Sequence, residues 1–129
     1  MQEALDDDSC GLLEILMSDQ DWQVFHLNEL QKQLKGEPVE YMEFMRVPSL
    51  SCGIYYLKVG SKDMQGPHDE DEIYYVLAGK AHLRVEEEDH QVEPGDVLYV
   101  RATSEHSFFE IKEDMTLLVF FASNSPGPR

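Results

Sequence analysis

Basic residues, cysteines and long apolar runs are all scarce in this sequence, and each shortage excludes a class of protein. The 129 residues include 10 Lys and Arg against 26 Asp and Glu, which gives a formal net charge of −16. Nucleic acids and anionic membranes are bound through clustered Lys and Arg, so we expect neither as a partner. No stretch approaches the roughly 20 apolar residues of a membrane-spanning helix.

The two cysteines and the N-terminus bear on the cellular compartment. Cys10 and Cys52 lie in unlike sequence contexts, which favours free thiols in a reducing compartment over a disulfide. The first ten residues, MQEALDDDSC, are acidic, whereas a secretory signal begins with basic residues and continues with apolar ones. We therefore predict a cytoplasmic protein.

Length and composition suit one compact domain, because 129 residues of which 42% are hydrophobic can bury a core. Residues 1–38 are predicted to form an N-terminal arm and a helix at about 27–35, where leucines recur at helical spacing. Residues 39–123 alternate short apolar runs with Gly, Pro and charged turns, which is typical of a β-barrel or sandwich. Residues 124–129 are predicted to be a flexible tail.

Strands are predicted in seven short segments, at 40–47, 52–59, 71–78, 81–87, 97–101, 106–111 and 115–122. Several of them carry apolar residues on both faces, and such strands need cover beyond the pocket that they line. A homodimer would provide this cover, and so would the chain's own N-terminal helix.

Two segments contain His and Glu at spacings that suit metal ligation. His68 and Glu72 lie four residues apart, and His106 follows in a later strand. In a strand over residues 70–78, alternation places Glu72 and Tyr74 on one face, and an extended lead-in can bring His68 beside Glu72. Two imidazoles and one carboxylate could then converge.

These segments resemble the paired motifs of the cupin superfamily over about residues 60–110. The matching positions are Gly60, His68, Glu72 and Gly79 in the first motif, and Gly95 and His106 in the second. The family's first histidine position is Gly66 here, and its later Pro, Gly and Asn positions are Arg101, Thr103 and Glu110. The resemblance implies an all-β jelly-roll barrel with a short N-terminal helical segment, holding a site of two His and one Glu.

The ligand set implied by the resemblance is His68, Glu72 and His106, which would bind a divalent ion such as Fe, Zn, Mn or Ni. Two His and one carboxylate leave coordination positions open and suit non-heme Fe(II). Tyr74 and Glu110 are the candidate catalytic residues, with Glu110 as an acceptor or base near the metal. The pocket wall is expected to include Tyr74, Tyr99, Phe108 and Glu110, with Arg46, Arg84 and Arg101 as carboxylate binders.

Two classes of function remain open for a chain with this resemblance. The first is a metalloenzyme acting on a small organic molecule, with a lean towards Fe(II) dioxygenase chemistry and metal-dependent isomerase or lyase chemistry as the alternative. The second is a non-catalytic cupin that binds a small molecule in its barrel. The missing histidine is also what a cupin that has lost its metal would show, with His68, Glu72 and His106 as a hydrogen-bonded cluster.

Overall fold

The structure is a computed structural model that describes residues 20–63, 66 and 68–122. These residues form one short helix and six strands, which are α1 (Leu27–Lys32), β1 (Val39–Val47), β2 (Leu50–Leu57), β3 (Glu72–Val85), β4 (Glu88–Val92), β5 (Val97–Val100) and β6 (His106–Ala122). All strand pairs are antiparallel, in the order β1-β2-β6-β3-β4, and β5 pairs with β3. Within the described ranges, no helix has the length and apolar character that spanning a membrane requires.

The long strands β3 and β6 pair with each other and fold over together. β3 has 14 residues, and a straight strand of that length would span roughly 45 Å. Glu72 pairs with Phe121 at one end of the ladder and Val85 pairs with His106 at the other. Nevertheless, the side chains of Glu72 and His106 are 3.2 Å apart. The ladder must therefore curl until its two ends meet.

Gly79 lies where this curvature is concentrated. The β3–β6 register shifts repeatedly between Val76 and His82, and Gly79 has a φ of 97°, which favours glycine because it has no Cβ. A Cβ at this position would collide with the backbone of Asp114 on β6. The sequence therefore needs glycine here on two grounds, backbone conformation and close approach.

The core lies inside the curl and follows the alternation of the strands. In β3, Glu72, Tyr74 and Val76 are buried, whereas Ile73 and Tyr75 are exposed on the outer face. The other core side chains come from every remaining strand except β1 and include Tyr55, Leu57, Val92, Val100, Phe108, Met115, Leu117 and Val119. Because Glu72 shares the buried face with apolar neighbours, a charged group is held at the edge of the core.

The N-terminal segment covers part of the outer face. Leu30 of α1 is buried, and the ring of Phe25 meets the ring of Phe44 edge-on at 4.9 Å between centroids. Cover by the chain itself, one of the two expected solutions, therefore exists over β1 and its neighbours. The outer face of β3 and β5 keeps Ile73 and Tyr99 exposed.

The predicted strand boundaries need three corrections. Segments 71–78 and 81–87 form the single strand β3, and 106–111 and 115–122 form the single strand β6, since Gly79 bends the ladder without ending it. β4 occupies part of a predicted turn, and of its residues only Val92 is buried, so alternation does not reveal it. The helix is shorter than 27–35. The predicted arm at residues 1–19 and tail at 124–129 lie outside the described residues.

Candidate metal centre

Three side chains converge where the curled ladder closes. Atoms of His68, Glu72 and His106 that can act as ligands all lie within 4.8 Å of one another. Glu72 and His106 are buried and His68 is half-buried. His68 precedes β3, Glu72 begins β3 and His106 begins β6. The structure thus brings together the three residues that the two sequence motifs indicated as ligands.

The ring of His106 is held in a defined orientation. Its Nδ1 lies 3.0 Å from the carbonyl oxygen of Ser104, and a carbonyl can only accept, so Nδ1–H is the donor. In the neutral ring this leaves Nε2 unprotonated, with its lone pair directed into the site. Nε2 lies 3.1 Å from the Tyr74 hydroxyl and 3.2 Å from Oε1 of Glu72.

The Glu72 carboxylate favours a positive charge on the ring of His106. Burial acts to lower the pKa of His106, but the Glu72 carboxylate and the Ser104 carbonyl outweigh burial, so the pKa is raised above its ordinary value. A proton or a metal ion held by His106 would be stabilised by the neighbouring carboxylate.

Glu72 provides the test of whether a cation fits. Both of its carboxylate oxygens are buried and accept no hydrogen bond from the described residues, although Oε1 lies 3.2 Å from Nε2 of His106. A buried carboxylate without donors is costly. A divalent ion held by Glu72 and two imidazoles would remove that cost, so the residues present fit a metal.

The loops that carry the ligands are fastened to each other. The Thr103 amide donates to the carbonyl of His68 at 2.7 Å, and the Ala102 amide donates to Oδ1 of Asp71 at 2.8 Å. Thr103 adopts a φ of 68°, a conformation that costs energy in a non-glycine residue and clusters at functional sites. Two hydrogen bonds therefore join the lead-in to β3 to the loop before β6.

Aromatic and carboxylate neighbours set the positions of the surrounding side chains. The ring of Phe121 meets the ring of His68 edge-on at 5.0 Å. Asp63 accepts from the Tyr55 hydroxyl at 2.6 Å and from the Phe108 amide at 2.8 Å. Through Asp63, the segment after β2 is tied to β6 two residues beyond His106.

His68 and Glu72 of this cluster line a cavity of about 480 Å³. Its lining residues are Val39, Tyr41, Glu43, Arg46, Ser51, Tyr55, His68, Glu70, Glu72, Tyr74, Val119 and Phe121. The Tyr41 ring packs so closely on Gly53 that any Cβ there would overlap it. A cavity of this size, mostly apolar with a few convergent polar groups, is typical of small-molecule sites.

The candidate catalytic residues take different places. Tyr74 is fully buried beneath the cavity with its hydroxyl at His106, as alternation predicted. Glu110 lies elsewhere: its side chain is 60% exposed and its Oε1 is 3.5 Å from Nε2 of His82. A φ of 48° at Glu110 breaks the alternation that starts at His106, so counting parity along β6 gave the wrong direction for this side chain.

The expected pocket wall also needs correction. Arg46 lines the cavity, but Arg84 pairs with Asp89 at 2.7 Å and Arg101 is exposed. Tyr99 is on the outer face, 63% exposed. Phe108 belongs to the core, where its ring meets Tyr74 at 5.0 Å. Only part of the predicted wall therefore reaches the cavity.

Several cavity residues were not predicted from the sequence, namely Val39, Tyr41, Glu43, Ser51, Tyr55, Val119 and Phe121. The β1 residues Val39, Tyr41 and Glu43 share one strand face by period-2 alternation, which was the available signal. Whether this face points into the cavity depends on the β1–β2 register, which includes a shift between Glu43 and Met45.

Gly66 occupies the position at which the cupin motif has its first histidine. It is exposed, and among the described residues no atom lies within 4 Å of a Cβ built on it. The missing fourth ligand has thus not been replaced by a packed side chain from the described residues.

A small antiparallel barrel with a His-Glu-His cluster at its inner face defines a class of pocket-bearing β-barrel proteins. The sequence profile of the cupin domain family, Cupin_2, matches residues 53–121. The uncharacterized protein SCO3923 of Streptomyces coelicolor is 40% identical over 98 residues, which cover 76% of this chain and 93% of that protein. The chain therefore belongs to the cupin family.

Solved structures show the same fold at lower sequence identity. TT1209 from Thermus thermophilus has a TM-score of 0.67 and 24% identity, over 78% of this chain and 97% of that one. The DMSP lyase DddQ from Ruegeria pomeroyi has a TM-score of 0.62 and 19% identity, over 84% of this chain and 58% of that one. At these identities the likeness establishes the jelly-roll barrel.

Proposed function

We propose that this protein is a metal-dependent cupin that acts on a small organic molecule bound in its cavity. His68, Glu72 and His106 would hold the divalent ion. The observation that carries the proposal is the buried Glu72 carboxylate, whose two oxygens accept no hydrogen bond from the described residues and which has ligand atoms of two imidazoles within 4.8 Å. An apolar side chain would occupy this position at lower cost if no cation were bound there.

The donor set favours a particular kind of metal. Two His and one Glu match the facial set of non-heme Fe(II) proteins, and Zn(II), Mn(II) and Ni(II) accept the same donors. When bound, the ion would supply Lewis acidity, or redox chemistry with dioxygen in the case of iron. Of these, we favour Fe(II) and dioxygenase-type chemistry.

The chain's own residues supply orientation and proton control around the ion. Since Nδ1–H of His106 is committed to Ser104, the Tyr74 hydroxyl is the donor to the neutral Nε2. With Nε2 of His106 as a ligand, the Tyr74 hydroxyl would be placed to donate to, or exchange a proton with, a molecule bound beside it. Val119 and Phe121 add apolar surface to the cavity wall.

Metal-dependent lyase or isomerase chemistry is the second candidate. A buried tyrosine hydroxyl beside a metal ligand suits proton transfer to or from a bound molecule. The fold resemblance to the DMSP lyase DddQ adds support by analogy alone. A non-catalytic binding cupin is the third, and the absence of a ligand at Gly66 is what favours it.

The test begins with the metal. We would purify the protein without chelator or affinity tag and measure bound metals by elemental mass spectrometry, alongside the double variant H68A/H106A. The matched control is His90→Ala, since His90 is exposed and lies outside the cavity. We expect near-stoichiometric metal in the wild type and in H90A, and loss in the double variant.

The identity of the metal then directs the search for activity. Iron calls for a screen by oxygen consumption, and zinc, manganese or nickel calls for a screen of isomerase and lyase substrates. Absence of metal in the wild type, even after reconstitution with each of the four ions, would overturn the proposal.

A further inference from the structure

Charge is distributed unequally over the cavity wall. Among the residues that the structure describes, three carboxylates line it, those of Glu43, Glu70 and Glu72, against one guanidinium, that of Arg46. A bound divalent ion would cancel the excess negative charge near Glu72. Glu70 would still face the cavity, in a chain whose formal net charge is −16. The electrostatic environment therefore disfavours anions before any specific contact is considered.

An anion that bound Arg46 would have to compete with Glu43. Its Nε lies 2.8 Å and its Nη2 lies 2.7 Å from the two oxygens of Glu43, a bidentate pair that uses the guanidinium fork. The Glu43 side chain is only 18% exposed. An anionic ligand would have to displace Glu43 or leave a half-buried carboxylate with less compensation, and either is costly.

Much of the remaining wall is aromatic, which suits a cationic group. The Tyr41 ring centroid lies 6.2 Å from that of Tyr55 and 6.3 Å from that of Phe121, in edge-on arrangements. Aromatic faces attract ammonium and related cations, more strongly where water is excluded. Glu70, which is half-buried on the same cavity and within electrostatic range of Arg46, adds a carboxylate to this environment.

We infer that the cavity takes a small organic molecule carrying a cationic group, and that Glu70 is the residue that selects for this charge. The cationic group lies against Glu70 and the aromatic rings, and the rest of the molecule extends towards the cluster of His68, Glu72 and His106. The inference rests on the proposed function for its choice of cavity. Charge selection, however, is measured separately from metal content.

The experiment uses three probes with one aromatic ring each: benzylammonium, benzyl alcohol and benzenesulfonate. Sulfonate is a poor metal ligand, so ligation of the ion does not confound the comparison. Dissociation constants are measured by chemical-shift titration on the metal-analysed wild type, on Glu70→Gln and on Glu87→Gln. Glu87 is exposed in the turn between β3 and β4, so its variant makes the same change in net charge away from the cavity.

We expect benzylammonium to bind more tightly than benzyl alcohol, and benzenesulfonate to bind most weakly. In Glu70→Gln the affinity for benzylammonium should fall about threefold to fivefold, the range of a partly exposed charge pair, with no change for benzyl alcohol. Glu87→Gln should leave all three affinities unchanged.

Equal or tighter binding of benzenesulfonate, identical results for the two variants, or no detectable binding of benzylammonium would each overturn the inference. Metal content decides whether the proposed function holds. If the protein binds metal but does not prefer the cationic probe, the proposed function stands and the inference fails. If it prefers the cationic probe but binds no metal, the inference stands and the proposed function fails.

Discussion

Glu72 and His106 lie at opposite ends of the β3–β6 ladder, and their side chains meet at 3.2 Å because the ladder curls back on itself. An interaction between these side chains therefore connects the two ends of the ladder where the barrel closes. Any ion that joins them binds the folded chain and not the unfolded one, so metal binding and barrel stability are linked.

Metal should accordingly raise the melting temperature. At a free ion concentration about one hundred times Kd, the expected stabilisation is about 2.7 kcal/mol. Thermal melts followed by circular dichroism, with the reconstituting ion and then with excess chelator, would measure it. The H68A/H106A variant should melt at one temperature in both conditions. If excess chelator left the melting temperature of the metal-loaded wild type unchanged, the link between metal binding and stability would be contradicted.

Tyr74 should tolerate loss of its hydroxyl better than loss of its ring. It is fully buried and its ring packs against Phe108. Tyr74→Phe removes the hydroxyl that contacts His106 and should cost about 1 kcal/mol, whereas Tyr74→Ala opens a cavity and should cost about 3–5 kcal/mol. Urea unfolding gives both values. A Tyr74→Ala variant as stable as Tyr74→Phe would show that the ring is not part of the packed core.

Two glycines with positive φ allow backbone conformation to be separated from close approach. Gly79 and Gly36 have φ values of 97° and 88°, but a Cβ would collide with β6 only at Gly79. Gly36→Ala should cost about 1 kcal/mol, from conformation alone. Gly79→Ala should cost more, by up to about 3 kcal/mol of added strain. If urea unfolding gave the same loss of stability for both variants, the backbone of β6 would be shown to move away from the added Cβ without strain.

Cys52 should be inert in the folded protein. Its side chain is buried as a free thiol, and burial raises its pKa to about 12. At pH 8 roughly one thiol in ten thousand is then ionised, and the thiolate is the reactive form. Iodoacetamide at pH 8, followed by peptide mass spectrometry, should modify Cys52 only after denaturation. Rapid labelling of Cys52 in the native state would contradict this.

The homodimer expected from the sequence stays a prediction, and the structure provides a surface on which to test it. Tyr99 pairs with Ile73 and Val97 pairs with Tyr75, and all four are exposed on the outer face, Val97 by 65%. A two-fold axis at this patch would bury the same residues of both copies.

The double variant V97D/Y99D should then be monomeric by light scattering on a sizing column. Val24→Asp is its control, because Val24 is also 65% exposed but lies before α1. If the wild type is monomeric at every concentration, or if the Val24→Asp variant dissociates equally, this surface is not the dimer interface.

Much of the site could be read from the sequence because its ligands lie in local patterns. His68 and Glu72 are four residues apart, and alternation along β3 correctly buries Glu72 with Tyr74. The fold followed from the cupin spacing and from the density of turn signals. These features depend on near neighbours in the chain, for which periodicity is informative.

The errors arose where distant parts of the chain decide the conformation. Glu110 leaves the expected face because a positive φ interrupts β6, and nothing in its neighbours marks that point. β4 pairs with β3 while presenting almost only polar residues. Tyr41 and Tyr55 reach the cavity through the register of β1 on β2, which no local pattern fixes.

The link between the two ligand loops has a consequence for how this protein can diversify. The Thr103 amide donates to the His68 carbonyl, so the bond joins backbone to backbone. Side chains at Arg101, Thr103 and Glu105 can change without removing it, and Gly or Asn at 103 would suit the backbone conformation better than Thr. Libraries randomised over this loop could therefore vary the loop surface while the ligand geometry is inherited unchanged.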